Sequence, residues 1–230
     1  MLKGAQIERS LSSTAQDPQI LLAAAERSLK SGLTDDFIAI AQNPELKTFI
    51  STNPNQASVL HHAKMLDMIV SCKDLDALNR FALLPAFSQI PADNVIIVNG
   101  NEMPITPELG GDTDVISLAI VLESAFVMSW DDKGDAYRSE FLHILLHHEQ
   151  FQHIAGGRLA AALMRPVANQ DWDLMADVAE IALPRITQED FIAVFDGFFE
   201  DEPFETRVAI EQEFNLFVQN NERLFREEDQ

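Results

Sequence analysis

The chain has 230 residues, 47% of them hydrophobic and 23% charged, with a formal net charge of −21 and a single cysteine, Cys72. This composition supports a folded core, and the acidic excess repels phosphates and anionic surfaces, which excludes direct nucleic-acid binding and favours basic protein partners. One cysteine excludes an internal disulfide and a cysteine-built zinc site and fits a reducing, cytoplasmic compartment; no apolar run reaches the roughly 18 to 20 residues of a membrane span, and no Sec-type signal is expected.

Residues 1–16 read as a polar lead-in. Asp17-Pro18, an N-cap followed by proline at the first helical position, opens an Ala- and Leu-rich helix that runs to Gly32. Thr34-Asp-Asp36 caps its partner, which carries Phe37, Ile38, Ile40 and Ala41 and stops near Asn43-Pro44. A short helix is expected around Leu46 to Ile50. A second hairpin starts near Ala57, with Leu60, Ala63, Leu66 and Ile69 on one helix and Leu75, Leu78 and Phe81 on the next, ended by Pro85. Residues 90–112 differ in character and read as an insertion. Within it, Asn99-Gly100 joins Asn94–Val98 to Asn101–Ile105, a strong hairpin-turn signal, while Pro104 confines the second arm to an edge.

The third hairpin places Val115, Leu118, Leu122 and Phe126 on its first helix, turns at Trp130 to Gly134, and returns through Phe141, Leu142, Leu145 and Leu146. A fourth uses Ile154 to Leu163, a break at Arg165-Pro166, and a helix from Asp173. Thr187-Gln-Glu-Asp190 is a capping-box variant, and a last helix from Phe204 to Phe225 closes the chain. The organisation expected is therefore a repeat domain over 17–185, with the insertion inside it, and a helical cap with an acidic tail over 186–230.

The segment Asp74-Leu-Asp-Ala-Leu-Asn-Arg-Phe-Ala-Leu-Leu-Pro85 recurs as Asp173-Leu-Met-Ala-Asp-Val-Ala-Glu-Ile-Ala-Leu-Pro184, matching at five of twelve places. With Asp36 and Asp135 as further helix starts, the intervals are 38, 61 and 38, and removing the 23-residue insertion makes the middle one 38 as well. That regularity predicts an all-α fold of stacked helical hairpins, each burying a face that its neighbour supplies. The stretch Ser58-Val-Leu-His-His-Ala63 resembles the Thr-Pro-Leu-His-x-Ala start of ankyrin repeats, and Ser117 to Ser124 looks like a worn form of the same run. An ankyrin-like α-solenoid implies a scaffold that binds other proteins through hairpin tips and a concave face. Worn repeats of this kind also resemble those of effectors that intracellular bacteria inject into host cells. The Glu-rich end with Leu224 and Phe225 is similar to type IV export signals, which implies translocation and a host-protein partner.

Chemistry is sparser than architecture. Glu140, His143 and His147 lie at i, i+3 and i+7, on one helix face with spacing suited to a metal ion. The competing reading is a solvated face opposite Phe141, Leu145 and Leu146, and the Glu-x-x-His of this segment has no second copy to complete a di-iron bundle. His61 and His62 are expected to satisfy backbone groups at a repeat junction, and Lys73 is expected to lower the Cys72 pKa somewhat. No Gly-x-Gly-x-x-Gly, Walker loop or Gly-x-Ser-x-Gly is present, so no cofactor and no catalytic residue are assigned. Trp130 and Trp172 fall at corresponding turns beside Asp131, Asp132, Asp171 and Asp173, either as anchors for a basic partner or packed on the next hairpin. Together with Asn99 and Gly100 of the insertion, Trp130, Asp131, Asp132 and Trp172 are the expected partner-binding residues. The leading expectation is a non-catalytic protein-interaction module; the alternatives are a metal-dependent helical enzyme centred on Glu140, His143 and His147, and an acidic inhibitor or immunity protein occupying a basic cleft.

Overall fold

The computed structural model describes residues 17–46, 48–49, 59–92, 95–98, 101–104 and 117–226. The lead-in 1–16 and the Asn99-Gly100 turn lie outside them. Ten α-helices dominate the described residues, which makes the class all-α, and the chain divides into two compact units: residues 1–89 with 107–114, and residues 90–106 with 115–230.

In the first unit, α1 (Pro18–Lys30) starts at Asp17, whose carboxylate accepts from Gln19 N–H, and buries Leu21, Leu22, Ala25 and Leu29. α2 (Thr34–Ala41) follows, with Leu33 in the N-cap place. Thr34 and Asp36, expected as caps, are instead inside the first turn, where Asp35 and Asp36 complement the positive helix end. β1 (Thr48–Phe49) pairs antiparallel with β2 (Val59–Leu60), so the short helix expected at 46–50 is extended chain at 48–49. β2 leads into α3 (His61–Cys72), and α4 (Leu75–Phe81) is capped by Asp74, which accepts from Ala77 N–H. α1 packs on α3 and α2 on α4. Phe81 is fully buried at the centre, its ring 5.9 Å from those of Phe37 and Phe87. His62 stacks on Phe81 and donates from Nε2 to the Ala41 carbonyl at 2.9 Å, filling an acceptor in the last turn of α2 that the helix itself leaves open.

In the second unit, β3 (Val95–Val98) lies antiparallel to β4 (Asn101–Pro104). The carbonyls of Pro91 and Ala92 accept from the first N–H groups of α5 (Leu118–Val127), and Ser117 caps it. α6 (Asp135–His147), α7 (Gly156–Ala168), α8 (Trp172–Ala182), α9 (Gln188–Phe198) and α10 (Phe204–Asn220) follow. In this unit the strongest contacts skip one helix, whereas in the first unit the sequential pair α1 and α2 also packs closely: α5 packs on α7, α7 on α9, and α6 on α8. Pro166 does not break its helix. It replaces only one N–H in the last turn of α7, and its carbonyl is taken by Asp171 N–H at 2.9 Å. Thr187 caps α9 as its capping-box sequence predicts, accepting from Asp190 N–H. α10 stops at Asn220, earlier than the expected Phe225, and a 3-10 turn (Glu222–Leu224) carries Phe225 back onto Phe191, with centroids 5.5 Å apart.

Three hairpin turns share one construction. Gly32, Lys73 and Gln170 have positive φ (66°, 52° and 55°), and the next residue donates its N–H to the carbonyl five positions back: Leu33 to Ser28, Asp74 to Ile69, Asp171 to Pro166. That left-handed helix end suits glycine, yet two of the three residues carry a side chain. Lys73→Gly and Gln170→Gly are therefore each expected to raise stability by about 0.5 to 1 kcal/mol in urea titrations; a loss of stability in both would refute the strain. In the second and third turns the next residue, Asp74 or Asp171, also caps the following helix. In the first turn that place is held by Leu33, which caps nothing.

This shared turn corrects the sequence alignment of the repeats. Asp74 is an N-cap, but Asp173 is the second residue of α8, Asp135 is the first of α6 and Asp36 is the third of α2. The interval of 38 thus relates positions that are not structurally equivalent.

Candidate functional site

Two features stand out once the elements are placed. The first is the tip of the α1–α2 turn. Gly32, Leu33, Thr34, Asp35, Asp36, Asp76 and Arg80 surround a concavity of about 350 Å³. Leu33 is 50% exposed, and Arg80 bridges to Asp35 at 2.8 Å and to Asp76 at 3.6 Å. The result is an apolar knob ringed by carboxylates. Sequence reasoning passed over it because Leu33 reads as one more residue of a hairpin turn.

The second is a cleft of about 430 Å³ between α6, α8 and the 222–224 turn, lined by His143, His147, Asp177, Glu180, Asn221 and Arg223 among others. The His143 and His147 centroids are 5.9 Å apart, and His143 Nε2 lies 3.0 Å from the Asp177 carbonyl oxygen. A carbonyl only accepts, so Nε2 is the donor in this contact. Glu140 is exposed and does not line the cleft, and no group of three His, Cys, Asp or Glu side chains among the described residues is placed to hold a metal. The Glu140, His143 and His147 set expected from spacing is therefore not formed: i to i+7 spans two turns, and the side chain at its far end leaves the cleft.

The expected aromatic anchors separate. Trp130 is only 4% exposed; its Nε1–H donates to the Ala125 carbonyl at 3.1 Å and its ring lies 5.2 Å from that of Phe141. It is a packing residue, so of the two roles open for it, partner anchor or packed ring, the packed one is observed. A buried indole needs an acceptor for its N–H, and the end of α5 supplies one. Asp131 and Asp132 remain exposed beside it, with Asp131 accepting from Ser129 Oγ at 2.8 Å. Trp172 is half-buried at the α7–α8 tip, its ring 6.0 Å from that of Phe217. Behind it, Asp171 caps α8 through one carboxylate oxygen and holds Arg138 through the other at 2.6 Å.

Cys72 offers no activated thiol. Burial pushes its pKa up; Lys30 pulls it down, while Asp74 and Glu26 push it further up. Asp67 on the same helix is also pushed up by burial, against the pull of Lys64.

No family model matches the chain, and no curated protein and no solved structure matches it. No helix among the described residues is long and apolar enough to cross a membrane.

Proposed function

We propose that the chain is a non-catalytic protein-interaction module whose hairpins stack as a short ankyrin-like α-solenoid and whose tips engage a basic partner. The skip-one packing of α1 on α3, α2 on α4, α5 on α7 and α6 on α8 supports the stacked reading. In this reading the β3–β4 ladder belongs to an inserted β-hairpin presented to the partner, with Asn99 and Gly100 among its contact residues, and Asp131, Asp132 and Trp172 flank the tips of the second unit. A host-cell protein is the partner class that the effector-like features favour.

One observation carries the proposal. Leu33 occupies the place that capping aspartates hold in the two equivalent turns, leaves its helix without a side-chain cap, and exposes half of its surface amid Asp35, Asp36 and Asp76. Residues that break a local rule without structural gain mark functional positions. Leu33→Asp supplies the missing cap while deleting the knob. It is expected to stabilise the protein by about 1 kcal/mol and to lose the partner. The comparison is cross-linking capture from host-cell lysate with wild type and variant side by side; a variant that melts higher and retains every captured protein sinks the proposal.

A further inference from the structure

In the second unit α5, α7 and α9 form one row, and α9 stands at its end, with α7 as its close helix contact among the described elements. Phe191 and Phe195 bury the inner side of α9, their rings 5.2 Å and 4.0 Å from that of Phe214 on α10. On the outer side Glu189, Ile192, Ala193, Asp196 and Gly197 are exposed. Most of them line a concavity of about 480 Å³, in which Ile192 leaves 37% of its surface open. Gly197 lies one turn beyond Ala193. Its φ is not positive, and a Cβ added to it would meet nothing within 4 Å, so no described neighbour requires a glycine there. Glycine weakens a helix relative to alanine, and what it offers in exchange is close approach by another backbone. Glu189 to Gly197 spans about 12 Å, room for a second helix to lie across Ile192, Ala193 and Gly197.

Electrostatics selects the occupant. From Ile186 to Arg226 the sequence carries ten acidic residues against three arginines and no lysine. Glu189 and Asp196 flank Ile192 one turn away on either side, and Arg207 already reaches Asp196 at 2.8 Å, so a cation is accepted at this edge. A second copy of the chain would bring the same acidic face and another net charge of −21, which opposes self-association. We propose that the outer face of α9 seats one amphipathic, lysine- or arginine-rich helix of a partner protein. Its apolar side lies on Ile192 and crosses Ala193 and Gly197, and its cations face Glu189 and Asp196. This second surface belongs to a different unit from the Leu33 tip and does not depend on it.

The test is fluorescence anisotropy of the full chain with a labelled leucine and lysine peptide of about 18 residues that forms an amphipathic helix, beside a permuted peptide of equal composition without an apolar face. The amphipathic peptide is expected to bind at least about tenfold more tightly, and to lose about tenfold in Ile192→Gln and in Gly197→Gln. Neither substitution changes the charge and both positions are exposed, so circular dichroism should show both variants folded, with Gly197→Gln melting no lower than wild type. Leu33→Gln should bind as wild type does. Equal affinity for the two peptides, or wild-type affinity in Ile192→Gln, overturns the site; a loss confined to Leu33→Gln overturns it by seating the peptide on that tip. Wild-type affinity in Gly197→Gln overturns the close approach. A dimer of the chain that Ile192→Gln dissociates overturns the choice of occupant.

Discussion

Asp171→Ala should lower the unfolding free energy by about 3 kcal/mol, well beyond the loss of about 1 kcal/mol expected for Asp74→Ala. Both aspartates follow a left-handed residue, and both cap the next helix through a carboxylate oxygen: Asp74 to Ala77 N–H at 2.9 Å and Asp171 to Leu174 N–H at 3.1 Å. Only Asp171 has a second duty. Its other oxygen lies 2.6 Å from Arg138 on α6, whose side chain is 11% exposed. Removing the carboxylate leaves a nearly dehydrated guanidinium with Asp135, an exposed residue 3.5 Å away, as its remaining ion-pair partner. Breaking a buried pair costs about 3 to 5 kcal/mol and an exposed one under about 1, and this pair lies between the two. Urea unfolding of both variants measures the difference directly. Equal losses would mean that the ion pair contributes nothing beyond the cap, and a cycle with Arg138→Met separates the pairwise term.

Phe81→Ala should be the most damaging single truncation in the first unit, costing about 3 to 5 kcal/mol. Phe81 has no exposed surface and ends α4 where three partners meet it: Phe37 from α2, His62 from α3 and Phe87 from the following turn. Deleting the ring leaves a cavity lined by aromatic groups that are themselves held by their helices, so collapse is limited. Trp130 and Trp172 both lie in the second unit, so neither reports locally on this site. Amide exchange across α1 and α3 is the suitable probe. Exchange rates within about twofold of wild type there would show that the first unit does not depend on this ring.

Local chemistry made much of the helical framework legible. Asp17 before Pro18, Asp74 before Leu75 and Thr187 three residues before Asp190 all cap the helices that their side chains announce, because a cap is a bond between residues two or three apart. The same local reading failed in two places. At Arg165-Pro166 a break was expected, but Pro166 is buried within α7 and its carbonyl is used by the turn. At 46–50 a helix was expected, but Thr48 and Phe49 pair with Leu60 and Val59, and nothing in either stretch alone records the other. Both Asp74–Pro85 and Asp173–Pro184 contain a helix, yet the matched aspartates differ in role: Asp74 is an N-cap, whereas the cap of the second helix is Asp171, two residues before Asp173.

The candidate sites divide along the same line. The sequence by itself determined the helical class, the net charge of −21, and the placing of His143 and His147 on adjoining turns, because these follow from composition and a 3.6-residue period. Tertiary structure alone decided that Trp130 is packed on Phe141 and that Leu33 stands exposed in the place of a cap. It also brought Asp177 and Glu180, rather than Glu140, opposite the histidines. Each of those outcomes depends on which helix lies against which. Skip-one packing brings together residues more than thirty positions apart, as the 34-residue reach from His143 to Asp177 illustrates.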